Sequence, residues 1–407
     1  MFRWLVICFA LSSLYAESQV RLGVDVFFEE GHAAKLKGKR VALILNQTSV
    51  DANFRETFSL FSNSASEIAI AALFSPEHGL KGQHYAWEKV ADGKESEVPV
   101  FSLHGDKRRP TDEMLKGIET IVYDIQCTGN RAYTYPTTLF YVMEAAAKLG
   151  IEVIVLDRPN PINGVSVDGP MLEEKWRSYI GYVNVPYCHG MTIGELARFF
   201  NGEYRIGCKL KVIPMKGWRR SMNYRDTGLG WIPPSPNIPE PDTPLYCLIT
   251  GGIGELHLVN IGIGYTLPFK IVGAPWIRAI EFAKLLNAQN LRGVRFQPYH
   301  FRPFWGIYKG VDCEGVLIQI TDEKTVRPLA VQYMILGLLK SLYPEEFSRL
   351  TAENKGKELF CKACGTSAIY DLLLSEKYPA WKMVDFQKKE REVFLEKRKA
   401  YLLDYEN

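Results

Sequence analysis

The sequence predicts an α/β protein built on a parallel sheet, followed by a second, smaller α/β domain. Three observations lead there. Four short, nearly continuous apolar runs occur in the first half of the chain, as expected of strands buried on both faces. Helix-patterned segments alternate with them, and strand–helix–strand repetition implies right-handed crossovers between parallel strands. The length, 407 residues, exceeds what one ordinary core holds together.

The runs are 40–45, 68–74, 120–123 and 152–156. Helical segments are expected at 53–61, at 112–117 behind a Thr111 cap, and at 137–149, where Gly150 suits a left-handed helix end. Thr192 and Glu195 have capping-box spacing, so a helix begins there. The first domain is assigned to 17–268 and the second to 269–407. The latter carries amphipathic helices at 277–286 and 328–342 and a strand at 315–321. The charged stretch 388–405 reads as a helix with a solvated face. The segment 231–244 holds six prolines, which block both helix and central strand, so it forms a rigid extended loop.

Residues 1–16 place Arg3 before an apolar run and end in small and polar residues, the layout of a secretory signal cleaved after Ala16. The run is too short to span a bilayer, and no stable membrane insertion is expected. The product is expected to be periplasmic or secreted. A net charge of +3, with 49 basic and 46 acidic residues, gives no concentrated basic surface, so a nucleic-acid partner is not expected. Seven cysteines remain beyond the leader, so at least one thiol is unpaired or bridges chains; Cys361 and Cys364 read as structural. No histidine pair has zinc-site spacing, and the glycines at 251–254 lack the rest of a dinucleotide fingerprint. No metal or cofactor is expected.

Chemistry is indicated by position. Each of the four runs ends in functional polar groups: Asn46; Glu77 and His78; Asp124 and Gln126; Asp157, Arg158 and Asn160. In an open parallel sheet all carboxyl ends share one edge, where ligands bind, so these groups can converge. Turn and helix-cap duty is the competing reading for each. Glu77 stands out because Glu is a poor turn former, yet it sits between Pro76 and His78-Gly79. That setting holds a carboxyl group firmly, and partial desolvation would suit it to general-acid work. If 131–135 is extended, Arg131, Tyr133 and Tyr135 share one face and grip an anionic, ring-shaped ligand; buried aromatic packing is the alternative. His189 precedes the Thr192 helix start and is either structural or a ligand contact.

These residues lie in motifs whose order and spacing hold from about residue 21 onward. They are Asn46-Gln47-Thr48, the 74–80 stretch around Pro76-Glu77-His78-Gly79, and Asp124 and Gln126 with Arg131, Tyr133 and Tyr135. They continue through 156–164, 189–196, 233–237, and Pro268-Phe269 with 273–276. On them the sequence resembles the bacterial exo-β-N-acetylmuramidases of peptidoglycan turnover. The resemblance implies a Rossmann-like N-terminal domain, a smaller C-terminal domain and an active cleft between them. It implies release of N-acetylmuramic acid from the non-reducing end of peptidoglycan fragments, without metal or nucleotide. Glu77 matches the family's motif glutamate and is the expected general acid. Glu77, His78 and Asp124 form the expected catalytic set, with Asp157 a further candidate for a second carboxylate. Asn46, Gln126, Arg131, Tyr133, Tyr135, Asp157, Arg158, Asn160 and His189 are the expected substrate contacts.

The chain departs from the family where a Glu and an Arg usually stand and Ile261 and Ile263 are found, making 254–265 apolar and β-like. Cys127 and Cys188 replace the more usual Asp and Arg. Arg131 or Arg158 would then meet the sugar's carboxylate. The alternative function is a non-catalytic peptidoglycan-sugar-binding protein on the same fold.

Overall fold

A computed structural model describes residues 20–64, 67–86, 88–353 and 355–406. The expected leader, 1–16, lies outside the described residues. Seven strands form the main sheet: β1 (Arg40–Leu45), β2 (Ala69–Ser75), β3 (Gly93–Glu95), β4 (Val98–Ser102), β5 (Thr120–Asp124), β6 (Glu152–Leu156) and β7 (Lys209–Ile213). Their order is β3-β4-β2-β1-β5-β6-β7, and all pairings are parallel except the edge hairpin β3–β4.

The central strands are apolar along their whole length because each face meets a different core. Ala42, Ile44, Ile121, Tyr123, Val153 and Val155 pack on one side. Val41, Leu43, Leu45, Val122, Ile154 and Leu156 pack on the other. Two-residue alternation thus serves two apolar layers. Helices α1 (Gly23–Glu29) and α2 (Thr57–Ser62) cover the second face; α3 (Thr134–Leu149) and α4 (Ile193–Glu203) cover the first. Gly150 closes α3 at φ 69°, and Thr192 with Glu195 makes the reciprocal capping box of α4.

The second core gathers α5 (Thr243–Glu255) and an antiparallel sheet of β8 (Ile271–Ala274), β9 (Val294–Phe301) and β10 (Cys313–Ile320), ordered β8-β10-β9. Around it lie α6 (Ala279–Ala288), α7 (Pro328–Leu342), α8 (Pro344–Ala352), α9 (Lys357–Cys364), α10 (Ala368–Ser375) and α11 (Ala380–Asp385). The chain then returns to the first domain through α12 (Lys388–Arg398).

Several expectations are corrected. The 112–117 segment is turns: Met114 N–H does donate to Thr111 Oγ1 at 3.3 Å, but Gly117 at φ 73° stops propagation. The 131–135 stretch is not extended, since α3 starts at Thr134. Residues 254–265 are not β-like: Glu255 closes α5, turns follow, and only Asn260 bridges to Gly273. The 388–405 stretch is more than a solvated face. Phe394 enters the first-domain core, and Arg398 donates to the carbonyls of His189 and Gly190 at 3.1 and 2.7 Å. All seven described cysteines are buried free thiols.

Candidate active site

The chain runs from β1 to β2 on one side of the sheet and resumes with β5 on the other side of β1. Ligand crevices form outside the carboxyl ends at such a switch point. Here the loops after β1 and β5 are sewn together. Gln126 N–H donates to Thr48 Oγ1 at 3.0 Å, and the Thr48 hydroxyl donates to Asn46 Oδ1 at 2.6 Å. Gln126 Nε2 donates to the carbonyls of Cys127 and Pro159, both at 2.8 Å.

The loop after β2 carries Glu77. Gly79 N–H closes a turn onto the Pro76 carbonyl at 3.1 Å, with His78 at φ 73° and Gly79 at φ 80°. A left-handed non-glycine residue costs about 1 kcal/mol or more and persists where surrounding contacts hold it. His78 Nδ1 is 2.7 Å from the His84 carbonyl oxygen, which supplies one such contact. The Glu77 carboxyl is thereby turned inward, with its side chain only 9% exposed and Oε1 3.9 Å from His104 Nε2. Burial is the main cause holding the His104 imidazolium below the usual histidine range, opposed by Glu77 and reinforced by Arg108 and His78.

Three tyrosines wall this acid. Tyr133 and Tyr135 meet edge to face with centroids 4.8 Å apart at the start of α3, and Tyr179 lies 5.9 Å from the His104 ring. The Glu77 charge acts on all three phenols, which burial pushes up from their ordinary range. The proline-rich segment forms the roof. Tyr135 Oη donates to the Pro234 carbonyl at 2.5 Å, and Gln47 Nε2 to that of Pro233 at 2.7 Å. Gln47 can lie there because Gly82 has no side chain: a Cβ at 82 would stand 2.2 Å from its amide carbon. Asn46 Nδ2 and Gln126 Oε1 are buried and make no hydrogen bond among the described residues, which marks the floor as polar and receptive.

Of the expected residues, the structure brings Tyr133 and Tyr135 to Glu77 and Asn46 to Tyr135, with Gln126 bonded to Thr48 next to Asn46 and His78 holding the turn. The others have internal duties. Asp124, expected as a catalytic carboxylate, forms a bidentate pair with Arg158: Nε to Oδ1 at 2.6 Å and Nη2 to Oδ2 at 2.9 Å. Its Oδ2 also accepts from Thr57 Oγ1 at 2.6 Å, so neither oxygen is left to react. Arg131 is engaged by the protein's own carbonyls. Its Nη1 donates to the Pro170 and Val185 carbonyls, both at 2.7 Å, and its Nη2 to Ala363 at 2.9 Å.

Asp157 caps α4 through Gly194 N–H at 2.7 Å and Thr192 Oγ1 at 2.8 Å; burial pushes it up to about 7. Asn160 accepts from Ile162 N–H at 3.0 Å and donates to the Met191 carbonyl at 3.1 Å. His189 is buried, accepts from Met191 N–H at 3.1 Å, and is pushed down to about 3 by burial and by Arg398 and Arg131, so it stays neutral at ordinary pH. His104 and Tyr179 escaped the sequence reading. The signal for His104 was a second apolar run ending in His-Gly, masked because Pro99 interrupts it. No cluster of His, Cys, Asp or Glu suited to a metal occurs among the described residues, and no described helix is long and apolar enough to cross a membrane.

Comparison with known proteins fixes the lineage. The family model "Exo-beta-N-acetylmuramidase NamZ, N-terminal" matches residues 41–242 and its C-terminal counterpart residues 246–404. The chain belongs to this family. The peptidoglycan beta-N-acetylmuramidase NamZ of Bacillus subtilis (strain 168) is 38% identical over 335 residues, 82% of this chain and 80% of its own. A DUF1343 family protein from Bacteroides fragilis NCTC 9343 superposes with a TM-score of 0.88 at 36% identity, over 95% of this chain and 99% of that one. A second DUF1343 protein from the same strain gives 0.71 at 29% identity, over 96% and 100%. As a NamZ-family member the chain is a glycoside hydrolase. Ile261 is buried against Gly254 of α5 and Ile263 packs on the second core.

Proposed function

We propose that the protein hydrolyses the bond holding a terminal N-acetylmuramic acid on peptidoglycan fragments, with Glu77 as general acid. One observation carries this reading: Glu77 is the carboxyl turned inward among Tyr133, Tyr135 and Tyr179 at the strand ends, while Asp124 and Asp157 are consumed by Arg158 and by the α4 cap.

Glu77 donates its proton to the leaving oxygen as the C1–O bond breaks. With Asp124 sealed, the substrate's own 2-acetamido oxygen supplies the electron pair at C1, a route that some glycosidases use. Water then opens that intermediate and returns a proton to the Glu77 carboxylate. Burial disfavours the His104 imidazolium, so His104 sets little competing positive charge beside Glu77. The charge-then-apolar layout of residues 1–16 supports action outside the cytoplasm.

The test is release of the chromophore from a synthetic N-acetylmuramide. Glu77→Gln is expected to lower turnover by ~10³-fold, within the range of a lost general acid, with the denaturation midpoint unchanged. Turnover within tenfold of wild type removes Glu77 from the mechanism.

A further inference from the structure

We propose that Arg108 is the anion anchor of this site, receiving the carboxylate that the lactyl ether places on C3 of N-acetylmuramic acid. The inference rests on the substrate reading above and specifies which residue discriminates that sugar.

A carboxylate entering a walled crevice needs a cation, and the planar guanidinium fork is the side chain that meets it with two parallel hydrogen bonds. The two arginines that the sequence offered are both engaged internally. Arg131 is spent on three carbonyls, and Arg158 on Asp124 and the Val50 carbonyl. Of the neighbouring cations, Lys89 pairs with Asp106 at 3.0 Å, Lys81 with Glu95 at 3.3 Å and Arg109 with Glu144, while exposed Lys107 has neither an ion pair nor a ring contact to hold it among the described residues. Arg108 is different. It is exposed on the loop after β4 and has no carboxylate partner among the described residues.

Its placement ties it to the acid. The Arg108 guanidinium carbon lies 4.3 Å from the centroid of the Tyr179 ring. That ring is 5.9 Å from the His104 ring, and His104 Nε2 is 3.9 Å from Glu77 Oε1. One aromatic side chain and one imidazole therefore separate the free cation from the proton donor. In the sugar, C3 stands two ring atoms from the anomeric carbon, so a pyranose whose glycosidic oxygen faces Glu77 can project its C3 substituent toward the rim. The charge of Arg108 also acts on His104 and Tyr179, the two groups that sense Glu77 from this side. The contact with the phenol ring holds the guanidinium in place, and its exposure leaves N–H groups for a ligand. An exposed arginine held over Tyr179, one phenol and one imidazole away from Glu77, thus supplies the cation that a C3 carboxylate calls for.

The test is calorimetry with N-acetylmuramic acid and with its lactyl methyl ester, on wild type, Arg108→Met and Arg108→Lys. Wild type is expected to bind the acid ~10-fold or more tighter than the ester, the scale of one charge-assisted pair. Arg108→Met brings that ratio close to 1, and Arg108→Lys restores part of it because charge returns without the fork. A ratio unchanged in Arg108→Met, a loss shared equally by acid and ester, or no binding of either sugar to wild type overturns the anchor. Chromogenic versions of both compounds separate the two readings. If wild type cleaves neither, the proposed hydrolysis falls, while the acid-to-ester binding ratio still decides Arg108.

Discussion

Asp124 and Arg158 offer the sharpest separation between a reacting carboxylate and a structural one. Their side chains are 0% and 3% exposed, joined by two hydrogen bonds, with Thr57 Oγ1 supplying a third to Asp124. Asp124 keeps the buried guanidinium charged against the pull of desolvation. Asp124→Asn removes the negative charge and leaves that cation in the interior. Breaking a buried pair from one side costs about 3–5 kcal/mol, more than the pair contributes relative to a well-packed apolar replacement. The expected loss in unfolding free energy is therefore about 3–5 kcal/mol. Asp124→Asn/Arg158→Met is expected to recover much of it, because the stranded charge is gone, giving a coupling energy of roughly 2–3 kcal/mol. Urea denaturation of the four proteins, with a common slope, measures this cycle. A catalytic Asp124 would behave otherwise: turnover abolished and the midpoint unmoved. Asp124→Asn within about 0.5 kcal/mol of wild type refutes the structural assignment.

Two further outcomes concern the joints of the molecule. Burial pushes Glu255, at the end of α5, from an ordinary 4.5 up to about 7. The unfolded chain releases this proton near 4.5 and the folded one near 7, so between those values the folded state holds the extra proton and stability falls as pH rises. Glu255→Gln should therefore stabilise by about 2–3 kcal/mol at pH 8 and by nothing at pH 4; an advantage independent of pH, measured by denaturation at both values, contradicts this. Tyr405→Phe removes a donor to Asp157 Oδ2 at 2.5 Å and an acceptor for Met215 N–H at 3.0 Å, for a loss of about 1–3 kcal/mol. Limited proteolysis should then cut the segment after α12 faster than in wild type, and unchanged cleavage and midpoint would show that the tail is held elsewhere.

Much of the architecture was legible because its causes are local. β1, β2, β5 and β6 announce themselves as apolar runs, since a strand covered on both faces has no polar side to show. The end of α3 at Gly150 and the start of α4 at Thr192 follow from helix-end hydrogen bonding within a few residues. β4, interrupted by Pro99, and β7, an edge strand bearing Lys209 and Lys211, carry neither mark and were missed. α5 was hidden by its own glycines: Gly252 sits in the helix because Gln332 of α7 packs so close that a Cβ would lie 2.7 Å from its Oε1.

The site divides along the same line. Sequence alone determined that polar groups gather at one sheet edge and that Glu77 occupies a turn of unusual stiffness. Only the tertiary structure decided which of those groups remain for a ligand. Asp124, Arg131, Asp157, Asn160 and His189 resemble ligand contacts in residue type, yet each is satisfied or enclosed by partners far along the chain, such as Arg158, Ala363 and Tyr405. A buried polar side chain must find a hydrogen-bond partner somewhere, and whether protein or substrate provides it depends on which distant segments the fold brings within about 3 Å.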